Sequence, residues 1–156
     1  MTTRRNFLRW SALSATMLSI NKSFAKNTQQ GQSGTKPIVI STWKHGIEAN
    51  ADAWKALSSG GKALDAVEKG VMNSESDMGN RSVGLGGLPD RDGFVTLDAC
   101  IMDEKGNCGS VCFLQHIKHP VSVARMVMEK TPHVILVGEG ALKFALDNGF
   151  TKEKAD

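Results

Sequence analysis

No stretch of eighteen consecutive apolar residues occurs in this 156-residue chain, so no segment reads as a membrane-spanning helix and no membrane partner is expected. Its sixteen glycines follow no Gly-X-Y period, which excludes collagen, and only four prolines accompany them, which argues against wholesale disorder. No self-similarity appears at the spacing of about 20–50 residues that marks a solenoid. GxSxG, HExxH, a Walker loop and a GxGxxG following a strand are all missing. The Gly-Leu-Gly-Gly at 84–87 lacks both the Lys-Ser/Thr pair and the strand–loop–helix setting of a phosphate loop. Four histidines are present, and His116 and His119 find no third ligand in the sequence, so they read as surface or hairpin-end residues and no metal or cofactor is expected. His133, directly after a proline, reads as a packing or capping residue. What remains is a chain of 16.8 kDa, 40% hydrophobic and 22% charged, which is the composition of one soluble globular domain.

The formal charge of +3 is unevenly placed. Residues 1–25 carry Arg4, Arg5, Arg9 and Lys22 and no acid; beyond them stand 15 basic against 16 acidic residues. The basic excess belongs to the N-terminus, no Lys/Arg cluster interleaved with aromatics remains, and nucleic-acid binding is set aside.

That N-terminus reads as an address. Arg4-Arg5 followed by Phe7-Leu8 resembles a twin-arginine export signal; Trp10–Ile20 has the length of a signal's apolar region, and Ser23-Phe24-Ala25 offers small residues for cleavage after Ala25. The competing reading is an amphipathic surface helix with a chance arginine pair. No cysteine lies near the cleavage point, so no lipid anchor is indicated. The expectation is a signal over 1–25, a polar flexible leader over 26–35, a folded part over 36–156, and a periplasmic location.

Three cysteines, Cys100, Cys108 and Cys112, leave at least one unpaired. On a strand Cys108 and Cys112 share a face but stand roughly 13 Å apart, at about 3.3 Å per residue, too far for a disulfide. Buried structural thiols are the expectation, ahead of a bridge, a metal site or a nucleophile.

Along the folded part, Ile38-Val39-Ile40 predicts a buried strand over 36–42. A helix is expected from Ala49, with Ala53, Trp54 and Leu57 on its apolar stripe and Ser58-Ser59-Gly60-Gly61 ending it; a second, over 62–72, places Ala63, Ala66, Val67, Gly70 and Val71 on one face. Residues 73–93 read as a loop. Phe94–Met102 and Gly109–Leu114, joined by Asp103–Asn107, predict a hairpin. Pro120 opens a helix stopped at Thr131-Pro132; His133–Val137 reads as a buried strand; Gly138 leads into a last helix with Ala141, Phe144 and Ala145 inward, ending at Gly149. The fold class expected is α+β.

Three stretches stand out. In Ser41-Thr42-Trp43 an aromatic follows a strand; it is either a core plug or a flat face for sugar or amide groups. Ser82–Asp90 is rich in small residues that let a backbone approach something closely. Asp98 and Asp103 differ by an odd number, so on a strand they face opposite sides and serve turns or caps rather than a catalytic pair.

STW at 41–43, SVGLGGLPDRDGFVTLDACIMDEKGN at 82–107 and HIKHPVSVARMVMEKTPHVILVGEGALKFA at 116–145 resemble the first half of the glycosylasparaginases, in the N-terminal-nucleophile asparaginase family, over about residues 36–150. The resemblance implies a part of a four-layer αββα sandwich. It implies a precursor that cuts itself before a Thr into α and β chains, assembling as two of each. The freed Thr attacks the side-chain amide of an asparagine derivative, with its own α-amino group as base and an acyl-enzyme as intermediate. By the same resemblance Trp43 lines the substrate pocket and Ser82 opens the loop beside it, with Thr42 and Gly86 adjacent. The family's His-Asp-Thr-Ile/Val-Gly segment does not occur in these 156 residues, so no catalytic residue is assigned, the chain is expected to be an α-chain part inactive by itself, and the β chain is its expected partner. Glu104 stands where many relatives have Gly. The implied substrate is a glycosylated asparagine. Plain asparaginase or isoaspartyl peptidase activity, and a non-catalytic secreted binding protein, are the alternatives.

Overall fold

The computed structural model describes residues 36–154. The signal and leader readings, over 1–25 and 26–35, lie outside the described residues.

Among the described residues four helices and a three-stranded sheet follow one another: α1 Gly46–Ser58, α2 Ala63–Ser76, β1 Leu97–Met102, β2 Cys108–Leu114, α3 Pro120–Lys130, β3 Ile135–Val137 and α4 Gly138–Asp147. The mixed α+β class is as expected. The α1–α2 pair packs through the small residues Ala49, Ala53, Ala66 and Gly70, which are buried, while Trp54 and Val67 point off the contact and stay about half exposed. Across that pair Asp52 accepts a hydrogen bond from Asn73 Nδ2 at 2.6 Å; the Lys55 ammonium bond first, and this amide bond second, hold its carboxyl below the ordinary range. Helix α2 runs one turn past the predicted end at 72, and that turn carries Ser74 and Glu75 inward.

The predicted hairpin forms, with its first strand beginning at Leu97 rather than Phe94 and its second at Cys108. β1 and β2 are antiparallel, with Ile101 opposite Gly109 and Cys100 opposite Ser110, and a register shift lies between Leu97 and Ala99. Asp103 shapes the turn: its Oδ1 accepts from Lys105 N at 2.8 Å and Asn107 N at 2.9 Å, and Oδ2 from Asn107 Nδ2 at 2.7 Å. Asp98 accepts from Phe113 N at 2.8 Å, where Phe113 has the unusual φ of 53°. Both aspartates therefore do turn and capping work. Strand β3 joins β2 in parallel, giving the order β1-β2-β3.

The core lies on one side of this sheet. Ile101, Val111 and Leu114 meet Val121, Val123, Ala124 and Val127 of α3 and Ala141 and Ala145 of α4, all buried. Arg125 ties α3 to α2 and to its own next turn, reaching Asp65, Glu68 and Glu129 at 2.7 Å each.

Three expectations are corrected. Residues 36–42 form no strand; Ile38 and Ile40 are 75% and 84% exposed, because among the described residues no strand lies beside them to complete a ladder. The strand predicted over 133–137 shrinks to Ile135–Val137 and is not buried: it is one edge of the sheet, with Ile135 and Val137 exposed and His133 exposed before it. The cysteines are free but not buried: Cys100 is exposed, Cys108 and Cys112 half-buried, all on the sheet face turned away from the core. A hydrogen bond with the Asp98 carboxylate, with burial adding to it, pushes the Cys112 thiol up.

Candidate functional site

Thr42 and Trp43 sit in the bend that leads into α1. The Trp43 carbonyl accepts from Gly46 N at 2.9 Å and so starts the first turn. The indole is 73% exposed and stacks on His45, ring centroids 6.5 Å apart and planes 10° from parallel. Beneath it lies a cavity of about 360 Å³ lined chiefly by apolar groups, among them Val39, Ala49, Ala53, Val71 and Val83, with the buried Ser74 also on its wall. A wide aromatic face above an apolar hollow suits the face of a sugar or an alkyl chain.

Ser82 opens the loop that follows α2. Its N–H donates to Asn80 Oδ1 at 3.0 Å, an Asx turn that sets the loop's course. Ser82 is exposed and lines a second cleft of about 280 Å³, together with Glu75, Asp98 and Pro120. Val83 is shared by both hollows, so the Trp43 and Ser82 cavities adjoin across one residue. Gly84 and Gly86 explain the small residues here. Gly84 has φ 74°, and a Cβ on it would overlap the Glu75 carbonyl oxygen; a Cβ on Gly86 would come to 2.6 Å from Met78 O. Gly86 is therefore a close-packing glycine beneath the loop and lines neither hollow.

Glu75 is the residue the sequence reading missed. It is 2% exposed. Its Oε1 accepts from Val121 N at 3.0 Å and its Oε2 lies 3.3 Å from His119 Nδ1. His119 thus sits against a buried carboxyl and is not a plain surface histidine. Helix α3 has no side-chain cap of its own, and Glu75 supplies one from α2. Burial pushes Glu75 up to about 7, against the pull of the Val121 N–H and with Glu68 adding to the rise. Burial, with Lys118 and Lys69 nearby, lowers His119. One signal was available: Val71 and Glu75 are four apart, so one more helical turn puts Glu75 on the inward face. Among the described residues no group of three or more His, Cys, Asp or Glu is placed to hold a metal ion.

A family model described as asparaginase matches residues 25–156. The chain is 60% identical over 153 residues to an N(4)-(beta-N-acetylglucosaminyl)-L-asparaginase of Elizabethkingia miricola, covering 96% of this chain and 45% of that protein. It is 49% identical over 120 residues to the enzyme of the same name from Rattus norvegicus, covering 75% and 34%. It is 42% identical over 110 residues to an isoaspartyl peptidase/L-asparaginase of Rattus norvegicus, covering 70% and 33%. The chain spans less than half the length of these curated relatives.

Proposed function

Because the chain belongs to the asparaginase family, we propose that it supplies the α-chain half of an N4-(β-N-acetylglucosaminyl)-L-asparaginase, an amidohydrolase that cleaves the amide between N-acetylglucosamine and asparagine. The observation that carries this reading is the 60% identity over 153 residues to a protein of that name, against 42% over 110 residues for the isoaspartyl peptidase/L-asparaginase. Trp43 offers its indole face to the sugar, with Thr42 beside it, and Ser82 meets the asparagine end from the adjoining cleft. Gly86 keeps the loop low enough for that approach.

The chemistry in this reading comes from a Thr at the head of a β chain. An α-amino group titrates near about 8 and sits within reach of its own hydroxyl, so one residue provides nucleophile and base. This chain then binds and orients. The same reading completes the fold as a four-layer αββα sandwich in a complex of two α and two β chains: a second sheet covers the open face of β1-β2-β3, and a further strand takes the extended residues 36–42. The exposed Ile38, Ile40, Met102, Ile135 and Val137 support it. Export through the twin-arginine signal delivers the enzyme to the periplasm; replacing Arg4 and Arg5 by Lys is expected to leave it unprocessed in the cytoplasm, and unchanged processing defeats that part.

The test is co-production of this chain with a β chain from a close relative. The complex is expected to release aspartate from N4-(β-N-acetylglucosaminyl)-L-asparagine faster than from an isoaspartyl dipeptide, while the chain by itself releases none. The reverse preference assigns the chain to the isoaspartyl peptidases; a chain that associates with no β chain and has no turnover is a binding protein.

A further inference from the structure

The residue that joins most of the molecule's parts near the candidate site is one that offers no reaction of its own. Glu75 lies in the last turn of α2, caps α3 through Val121 N at 3.0 Å, and meets His119 Nδ1 at 3.3 Å. Its backbone is the floor on which the Ser82 loop lies, since Gly84 has no room for a side chain above the Glu75 carbonyl. Its side chain and Ser82 line one cleft. We propose that Glu75 is a positioning residue: its buried carboxyl pins α2 to α3, and this junction sets where Ser82 stands. The inference rests on the proposed function only for the meaning of Ser82; the junction itself stands without it.

The junction has a preferred proton count. With Glu75 neutral, Oε1 accepts from Val121 while the Oε2 hydroxyl donates to Nδ1 of a neutral His119, and both contacts are satisfied. Both shifts agree with this pairing, Glu75 raised to about 7 by burial and His119 lowered by burial. The charges that face it come from every side. Glu68 and Lys69 belong to α2, and Glu68 is held by Arg125 of α3. Lys118 precedes α3, Glu153 follows α4, and Arg81 and Asp98 line the shared cleft. The folded state holds the Glu75 proton to about pH 7, the unfolded chain only to about 4.5, so the stabilisation this group brings falls as pH rises between those values and is flat above them.

Hydrogen exchange of the full chain tests this, read by mass spectrometry at pH 5.5 and 8.0 after correction for intrinsic rates. In the parent, protection over 119–123 and 82–87 is expected to fall from pH 5.5 to 8.0, relative to the β1 segment 97–102. Glu75→Gln keeps an acceptor for Val121 and, at every pH, a donor for His119 that the parent has only while Glu75 is protonated. It is expected to match the parent at pH 5.5, to exceed it at pH 8.0 and to lose the fall with pH, leaving only the rise that the lowered His119 brings. Glu75→Ala is expected to be unprotected over both segments at both pH values, with 97–102 retained. In the assembled enzyme Glu75→Gln shifts the pH profile of KM while kcat is kept. A complex without any turnover defeats the proposed function, yet the exchange pattern still decides Glu75. Protection that is equal at both pH values in the parent, or that follows pH equally in Glu75→Gln, overturns the inference.

Discussion

The two faces of the β1–β2 hairpin are made from alternate residues of the same dozen positions, and they have opposite fates. Ile101, Val111 and Leu114 point to α3 and α4 and are at most 4% exposed. Met102 is 63% exposed and Phe113 54%, with Cys100 exposed between them. The second face is not polar in compensation: it continues onto Ile135 and Val137 of the edge strand. A half-solvated antiparallel sheet normally alternates apolar inside with polar outside. Here both faces are apolar, the pattern of a sheet designed to be covered twice, and only one cover lies within the described residues. The difference teaches that burial in this chain reports which partner is at hand, whereas composition reports which partner is wanted.

The sharpest way to break that comparison is a charge on the open face. Met102→Lys is expected to leave the chain's own fold unchanged and to cost about 3–5 kcal/mol in assembly with a β chain, through an unpaired buried ammonium. Co-purification and circular dichroism read the two effects, and undiminished assembly shows that the face stays open. In the same experiment the parent chain without a β chain is expected to bind ANS through its open face, and the complex is not.

Next in size comes the neighbouring residue. Ile101→Ala is expected to destabilise the fold by about 2–5 kcal/mol in urea denaturation, whereas Met102→Ala stays within about 0.5 kcal/mol in the same chain. Equal costs for these two neighbours would mean that the faces are not distinct.

A third test moves to the site. In the assembled enzyme Trp43→Ala is expected to lower kcat/KM for the glycosylated asparagine by the equivalent of about 2–4 kcal/mol, with precursor self-cleavage retained, and Trp43→Phe recovers much of the loss. Parental kinetics for Trp43→Ala would make the indole a packing residue covered by the second layer.

The smallest effect belongs to the hairpin turn. The Asn107 side chain, with the Lys105 and Asn107 N–H groups, holds the Asp103 carboxyl below its usual range. The folded pKa is depressed, so the stabilisation is present above the ordinary carboxylate range and is lost as pH falls through the depressed value. Asp103→Asn is expected to melt slightly below the parent at neutral pH and to converge with it in acid, because only the parent has a charge to lose. A constant gap across pH would refer the effect to geometry alone.

The site shows the same division between near and far information. Trp43 and the Ser82 loop were readable because their residue types are unusual and consecutive. Glu75 was not, since a single glutamate on a helix is indistinguishable from a solvated one until the helix's last turn and the start of α3 are seen together. The cavity under Trp43 was likewise invisible, being built from Val39, Val71 and Val83, which are far apart in the chain.

What the amino-acid order determined by itself is local: helix stripes at α1 to α4, a proline at the head of α3, an aspartate-held turn at 103–107, and the run of residues that places the chain in its family. Each rests on interactions within a few positions, where period and side-chain type suffice. Tertiary structure decided the rest. It left Ile38 and Ile40 without a ladder, made Ile135–Val137 an edge, turned the three thiols away from the core, and buried Glu75 against His119. The reason is that a strand is completed by hydrogen bonds from another strand, and a buried charge by contacts from another element; neither partner is written in the segment that needs it.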